Sequence, residues 1–177
     1  MCVIGFDTSN YTTSVAVVDI NGKVIANLKR PLQVKEGERG LRQSDALFLH
    51  TVNIPSLMQE AKELLNGNVP IAIGVSSRPR NVEGSYMPCF LAGISAATAF
   101  ASANSLVLRR FSHQQGHIAA ALFSADRLDL FDKQFIAFHV SGGTTEAVIV
   151  RPDSENICTT ELVASSLDLK AGQAVDR

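Results

Sequence analysis

The 177-residue sequence predicts an α/β fold built as two lobes on one plan, and two observations carry that prediction. First, strand-type and helix-type runs alternate after an antiparallel opening, the pattern of a partly parallel sheet covered by helices. Second, the chain resembles itself. "FDTSNYTTSVAVV" at 6–18 lies over "FHVSGGTTEAVIV" at 138–150, so that Phe6, Ser9, Thr12, Thr13 and Val18 match Phe138, Ser141, Thr144, Thr145 and Val150. Each copy reads as strand, tight polar turn, strand. The duplication predicts superposable hairpins whose turns face one cleft.

The elements follow in order. "CVIGF" and "TSVAVVD" are β-type runs, and "INGK" supplies an Asn-Gly turn into "VIANLKR", giving an antiparallel meander. Residues 34–43, "VKEGERGLRQ", read as a charged mobile loop. Ile54, Leu57, Met58, Ala61, Leu64 and Leu65 recur at helical spacing until "NGN" stops the helix. "PIAIGVSS" is a strand buried on both faces, and "RPRNVEGSYMP" is a loop. Residues 89–103, small or apolar all round, form a packed helix rather than a membrane span. "LVLRRF" is the next strand, and a helix carrying His113 and His117 follows. "LFSADRLDLFDKQ" is a polar connection before the β-type runs "FIAFHV" and "EAVIV". Residues 1–133 read as the first lobe, His-x-x-x-His helix included. Residues 134–177 read as the truncated beginning of a second.

Hydrophobic residues make up 46% of the chain and charged residues 19%, which describes a globular protein and not a disordered one. A net charge of −1 offers no global attraction to a polyanion, so nucleic acid would have to meet a local patch such as Arg78, Arg80, Arg109 and Arg110. Cys2, Cys89 and Cys158 match no metal or disulfide spacing and suit a reducing cytoplasm. Asp7 follows only five uncharged residues after the first, so the N-terminus does not read as a signal peptide.

Several residues carry candidate chemistry. Gly142 and Gly143 let backbone amides approach an anion, and hydroxyls of Ser9, Thr12, Thr13, Ser141, Thr144 and Thr145 add donors, so the paired turns suit nucleotide phosphates. His113 and His117, at i and i+4 of a helix, point the same way and form a potential two-nitrogen metal chelate. Asp7 is either a catalytic, active-site carboxylate facing the cleft or an Asx-turn residue shaping the first hairpin. His50 and His139 read as structural. Asp168 and Asp176 fall on a possible helix.

The succession "FDTS", "GVSSRP", a small-residue helix, "HQQGH", "VSGGTT" and "GQAVDR" resembles the TsaD/Gcp (Kae-type) family within the actin-like ATPase (ASKHA) superfamily. The resemblance implies a ribonuclease-H-like first lobe plus the start of a second, and the amino-terminal half of a transferase that moves a threonylcarbamoyl group to N6 of adenosine in tRNA. It also implies His113 and His117 as ligands of one divalent ion, iron or zinc, and a Ser141–Gly142–Gly143 phosphate turn. Thr144, Asp168 and Gly172 would lie on the substrate side. ATP or threonylcarbamoyl adenylate is the implied ligand; tRNA and TsaB- or TsaE-type proteins are the implied partners.

The chain departs from the family pattern at Gln115, where the family has Glu, and at Thr144, where it has His. Tyr11 and Thr12 replace an acidic pair, Leu169 and Gln173 replace acidic residues, and Arg78-Pro79-Arg80 stands for Gly-Pro-Gly. A second reading therefore stays open, a non-catalytic nucleotide-binding or dimerising paralogue like TsaB. The old glycoprotease name of the family is not supported, because Gln114 occupies the position at which a zinc protease carries its basic Glu. The short second lobe is expected to leave an apolar surface near 135–165 through which the chain self-associates.

Overall fold

The computed structural model describes residues 1–34, 40–141 and 144–175. Half of the charged loop read at 34–43, residues 35–39, lies outside this description, as do Gly142, Gly143 and Asp176. The chain divides into two compact units, Met1–His113 and Gln114–Arg177.

The first unit opens with β1 (Cys2–Asp7), β2 (Thr12–Asp19) and β3 (Val24–Pro31). Asp19 organises the turn between the last two by accepting from the Asn21 and Lys23 amides, while Gly22 takes the left-handed conformation that Cβ-bearing residues avoid. Then come α1 (Gln43–Leu64), β4 (Pro70–Arg78), α2 (Phe90–Ala103) and β5 (Val107–Ser112). The sheet order is β3-β2-β1-β4-β5. β1 pairs antiparallel with β2 and parallel with β4, and β4 pairs parallel with β5. Alternation decides what is buried. Cys2, Ile4 and Phe6 of β1, with Val15 and Val17 of β2 and Ile73 and Val75 of β4, pack with Ile54, Leu57 and Ala61 of α1 and Ala92, Ala97 and Ala101 of α2. Small residues on α2 keep that helix close to the sheet.

Helix α1 starts at Gln43, well before its first apolar position in the periodic run. Pro55 sits inside it and removes one backbone donor. Ala46 and His50 are buried along this early stretch, so packing and not propensity sets the start.

The second unit holds most of α3 (His113–Ser124), a 3-10 turn at Leu128–Asp132, β6 (Phe135–Val140), β7 (Thr145–Asp153), β8 (Ile157–Ser165) and a short α4 (Ala171–Val175). Its sheet runs β6-β7-β8, antiparallel throughout. Ile118 and Leu122 of α3 pack with Val148, Val150 and Cys158, which groups α3 with this unit, whereas the sequence reading set it in the first lobe.

The internal repeat is present at the level of register. Phe6 faces Val15 and Ile4 faces Val17; at the same spacing Phe138 faces Ala147 and Ile136 faces Ile149. Among the described residues no helix is long and apolar enough to cross a membrane.

Candidate functional site

Asp7 closes β1, Ser76 lies near the end of β4, and His113 follows β5 directly. The ends of three neighbouring parallel strands thus meet, the place where open α/β sheets bind ligands. Asp7 Oδ2 accepts from Ser76 Oγ at 2.5 Å and pairs with His113 Nδ1 at 2.8 Å. Its Oδ1 accepts from the Ser9 amide at 2.8 Å, which is an Asx turn. Asp7 thus shapes the first hairpin through its Asx turn, and its other oxygen joins a polar cluster with Ser76 and His113. The side chains of His113 and Asp7 keep 31% and 26% exposure, enough for solvent or a ligand to reach the pair.

Burial pushes the Asp7 carboxyl up, but the His113 ring and the bonds from Ser76 and Ser9 outweigh it and hold the group below the usual carboxylate range. Asp7 is an anion here. An anionic carboxylate can only accept, so His113 Nδ1 is the donor of this bond.

A second network supports the same hairpin from behind. Thr13 is fully buried, and its Oγ1 lies 2.8 Å from His50 Nδ1 and accepts from Asn53 Nδ2 at 3.1 Å. Thr13 Oγ1 thus joins His50 of α1 and Asn53 of the same helix in one buried polar network. Thr13 was expected among the phosphate donors; alternation along β2 turns it inward, so its hydroxyl is structural. Thr12 begins β2 half-buried. Thr8, which the sequence reading passed over, is also fully buried. Its hydroxyl donates to the Cys89 carbonyl at 3.0 Å and accepts from the Gly93 amide at 3.2 Å, fastening the end of β1 to the start of α2. The alternation of "IGFDT" was the signal for it.

The turn amides are less available than the sequence suggests. Ser9 N is taken by Asp7 and Thr12 N donates to the Ser9 carbonyl at 3.4 Å. In the second hairpin Ser141 N donates to the Thr144 carbonyl at 2.7 Å, and Thr144 N donates to Ser141 Oγ at 3.0 Å. Gly142 and Gly143, the expected centre of that turn, lie outside the described residues. Gly172 N donates to the Ser141 carbonyl at 3.3 Å and Ala171 N to Thr145 Oγ1 at 2.8 Å, so the chain after β8 does return to this turn. Asp168, expected on a helix, precedes the short α4 instead, because Ser166 and Lys170 close a local turn around it.

His113 and His117 stand one helical turn apart on α3, as the spacing predicts. His117 has its ring centroid 5.6 Å from that of His139 on β6, a neighbour the sequence reading treated only as structural. Among the described residues no three His, Cys, Asp or Glu side chains gather as a metal site. The donor chemistry nonetheless suits part of one. A metal-binding imidazole characteristically holds a carboxylate on its other nitrogen, and His113 holds Asp7 in that way. An apolar cavity of about 480 Å³ lined by Phe6, Met58, Ala61 and Phe100 shares no residue with this cluster.

No family model matches the chain. Over 99% of its length it is 32% identical to a tRNA N6-adenosine threonylcarbamoyltransferase of Enterococcus faecalis, covering 47% of that relative. A second relative of the same name, from Thermosipho africanus, is 26% identical over the whole chain and covered to 51%. The chain thus spans about half the length of the curated relatives it matches. Among solved structures, YeaZ from Pseudomonas aeruginosa aligns with a TM-score of 0.53 over 96% of this chain and 68% of its own, at 13% identity. The fold is that of the actin-like ATPases.

Proposed function

This chain is homologous from end to end to about half of a tRNA N6-adenosine threonylcarbamoyltransferase, and we propose that it supplies that half of the same activity. Together with the remaining half it would transfer a threonylcarbamoyl group from its adenylate to the N6 amine of a tRNA adenosine. The Asp7–His113 pair at the ends of the parallel strands is the observation that carries the reading. What supports the reading is an imidazole hydrogen-bonded to a carboxylate at the ends of the parallel strands, on a helix whose next turn carries a second imidazole.

His113 and His117 would hold the divalent ion, iron or zinc, with the remaining ligands coming from outside the described residues. When bound, such an ion polarises a substrate oxygen as a Lewis acid. Asp7 acts through His113 and is a positioning residue: its anion keeps the proton on Nδ1 and the ring in one orientation. Ser76 and the Ser9 amide fix Asp7 in turn. Ser9, Thr12, Ser141, Gly142, Gly143 and Thr144 line the two turns proposed to meet the phosphate of ATP or the adenylate, with Asp168 and Gly172 beside the second turn. tRNA and proteins of the TsaB and TsaE type are the proposed partners, and the cytoplasm is the proposed location.

A scaffold that binds nucleotide without chemistry is the competing reading. It is favoured by Gln115, which is buried and donates to two backbone carbonyls. The deciding experiment measures zinc and iron per chain, with ATP binding, for the wild type, His113→Ala and His117→Ala, in parallel with threonylcarbamoyl transfer to tRNA in the presence of the missing half. Transfer that is lost together with metal in both variants supports the enzyme. ATP binding with unchanged metal content in both variants, and no transfer, identifies the scaffold.

A further inference from the structure

The loop between β4 and α2, residues 79–89, is fastened at both ends to the Asp7–His113 pair. Ahead of it, Ser76 of β4 donates to Asp7 Oδ2 at 2.5 Å. Behind it, Phe90, the first residue of α2, sets its ring edge-on to His113 with 6.4 Å between centroids. The Cys89 carbonyl adds a third tie by accepting from the Thr8 hydroxyl at 3.0 Å. The loop is therefore a rim of the site. Its frame is built by specific bonds. Pro79 and Pro88 restrict the backbone at its two ends. The Arg80 amide donates to Ser85 Oγ at 2.9 Å, and the Ser85 amide to the Val82 carbonyl at 3.2 Å. Gly84, at φ 73°, takes the left-handed conformation inside that turn. Arg78 donates to the Asn81 side chain. This frame presents a tyrosine to solvent: Tyr86 is 64% exposed, and Val82 on the same loop is 52% exposed.

Two guanidinium groups, Arg78 and Arg80, lead into the loop against one carboxylate, Glu83, so its charge favours an anion. An aromatic face beside cations suits a nucleotide of unpaired RNA, whose base stacks on the ring while its phosphate meets a guanidinium. Threonylcarbamoyl transfer to tRNA calls for such a nucleotide. In a duplex the N6 amine of adenosine is held in the base pair, so an adenosine that attacks through N6 lies in an unpaired stretch beside unpaired neighbours. We propose that Tyr86 is the stacking platform for the nucleotide next to the adenosine that is modified, with the cationic start of the loop facing its phosphate. Tyr86 acts by holding the RNA at the rim and not on the reacting atoms, which makes it a positioning residue. The inference rests on the transferase reading, and its test separates the two.

The test titrates a fluorescent RNA hairpin, with an adenosine in its unpaired loop, against this chain and the missing half together, and reads binding by anisotropy. A fully paired RNA duplex of the same length is the comparison. Tyr86→Ala should weaken binding of the looped RNA about tenfold, the loss of one stacked base, and leave binding of the duplex unchanged. Tyr86→Phe, which keeps the ring face, should bind both RNAs as the wild type does. Metal content and ATP binding should not move in either variant, and circular dichroism checks that the fold is retained. Equal binding of the looped RNA by wild type and Tyr86→Ala would overturn the proposal and leave the transferase reading standing. Wild-type protein that holds metal and ATP but binds no looped RNA would sink both. A Tyr86→Ala protein that keeps the RNA and no longer retains the missing half would also overturn the proposal, by assigning the loop to protein contact.

Discussion

Gln115 Nε2 donates to the Cys158 carbonyl at 2.6 Å and to the Asn156 carbonyl at 3.0 Å. The two acceptors flank Ile157, where β8 begins, and Gln115 is 2% exposed. A carboxylate at this position would face two carbonyl oxygens with no hydrogen to offer. Gln115→Glu should therefore destabilise the second unit by about 1–3 kcal/mol at pH 7. Such a carboxyl would have its folded pKa raised above the unfolded value, so the folded state binds the extra proton and the loss shrinks as pH falls towards 4. Urea unfolding of both proteins at pH 7 and pH 4.5 checks this; equal stability at pH 7 would show that the amide donations contribute nothing.

Gly93 is held against Thr8. A Cβ built on it would lie 2.9 Å from Thr8 Oγ1 and 3.3 Å from Thr8 Cγ2, closer than packed atoms allow. Alanine raises helix propensity by about 1 kcal/mol over glycine, yet overpacking of this kind costs about 1–3 kcal/mol. Gly93→Ala should come out net destabilising. Gly5→Ala, where nothing lies within 4 Å of the new Cβ, is the control and should leave the thermal midpoint within a few degrees.

The fully buried His50 has its pKa lowered, chiefly by burial, with the Asn10 backbone and the Asp7 charge opposing. A base with a depressed folded pKa binds fewer protons folded than unfolded. Its contribution to stability is whole above the ordinary histidine value of about 6.5 and declines as pH falls below it. His50→Gln keeps a hydrogen-bonding partner for Thr13 but removes the titration. The variant should be less stable than wild type at pH 8 by about 1–2 kcal/mol, and that gap should narrow by pH 5. A gap that stays constant from pH 8 to pH 5 would contradict the assignment.

All three cysteines are buried and free. Burial raises each thiol, and Cys158 is pushed up to about 11 by burial together with the Asp153 charge. Thiolate, the reactive form, is therefore scarce at neutral pH. Iodoacetamide at pH 7.5 should leave the native protein unlabelled for hours. With rising urea, Cys2 and Cys89 should label together and Cys158 on its own transition, because they lie in different compact units. Simultaneous labelling of all three would show that the two units unfold as one.

Much of the fold was legible because each signal was local. The alternation in "CVIGF", the Asn-Gly turn before Lys23 and the apolar run at Ile71–Val75 each determine a strand by nearest neighbours. The register repeat was legible for the same reason, since both hairpins are closed by short turns. What escaped the sequence is set at long range. Thr13 looked like a surface hydroxyl until His50, carried in by α1, showed which way it points. Thr8 acquires its role only when α2 brings Gly93 against it. The ring beside His117 is that of His139, on a strand formed later in the chain, and no periodicity in "HQQGH" announces that.

The parallel pairing of β1 with β4 has a kinetic consequence. Asp7 and Ser76 are 69 residues apart along the chain, and Asp7 and His113 are 106 apart. Loop closure over such spans is slow relative to the microsecond formation of a hairpin. During refolding the β1–β2 ladder should therefore gain amide protection early, while the opposite edge of β1 waits for β4. The polar cluster on Asp7 is then among the last features of the first unit to assemble. A polypeptide leaving the ribosome passes through a stage in which the hairpin exists and the site does not, until the chain has been made at least as far as His113.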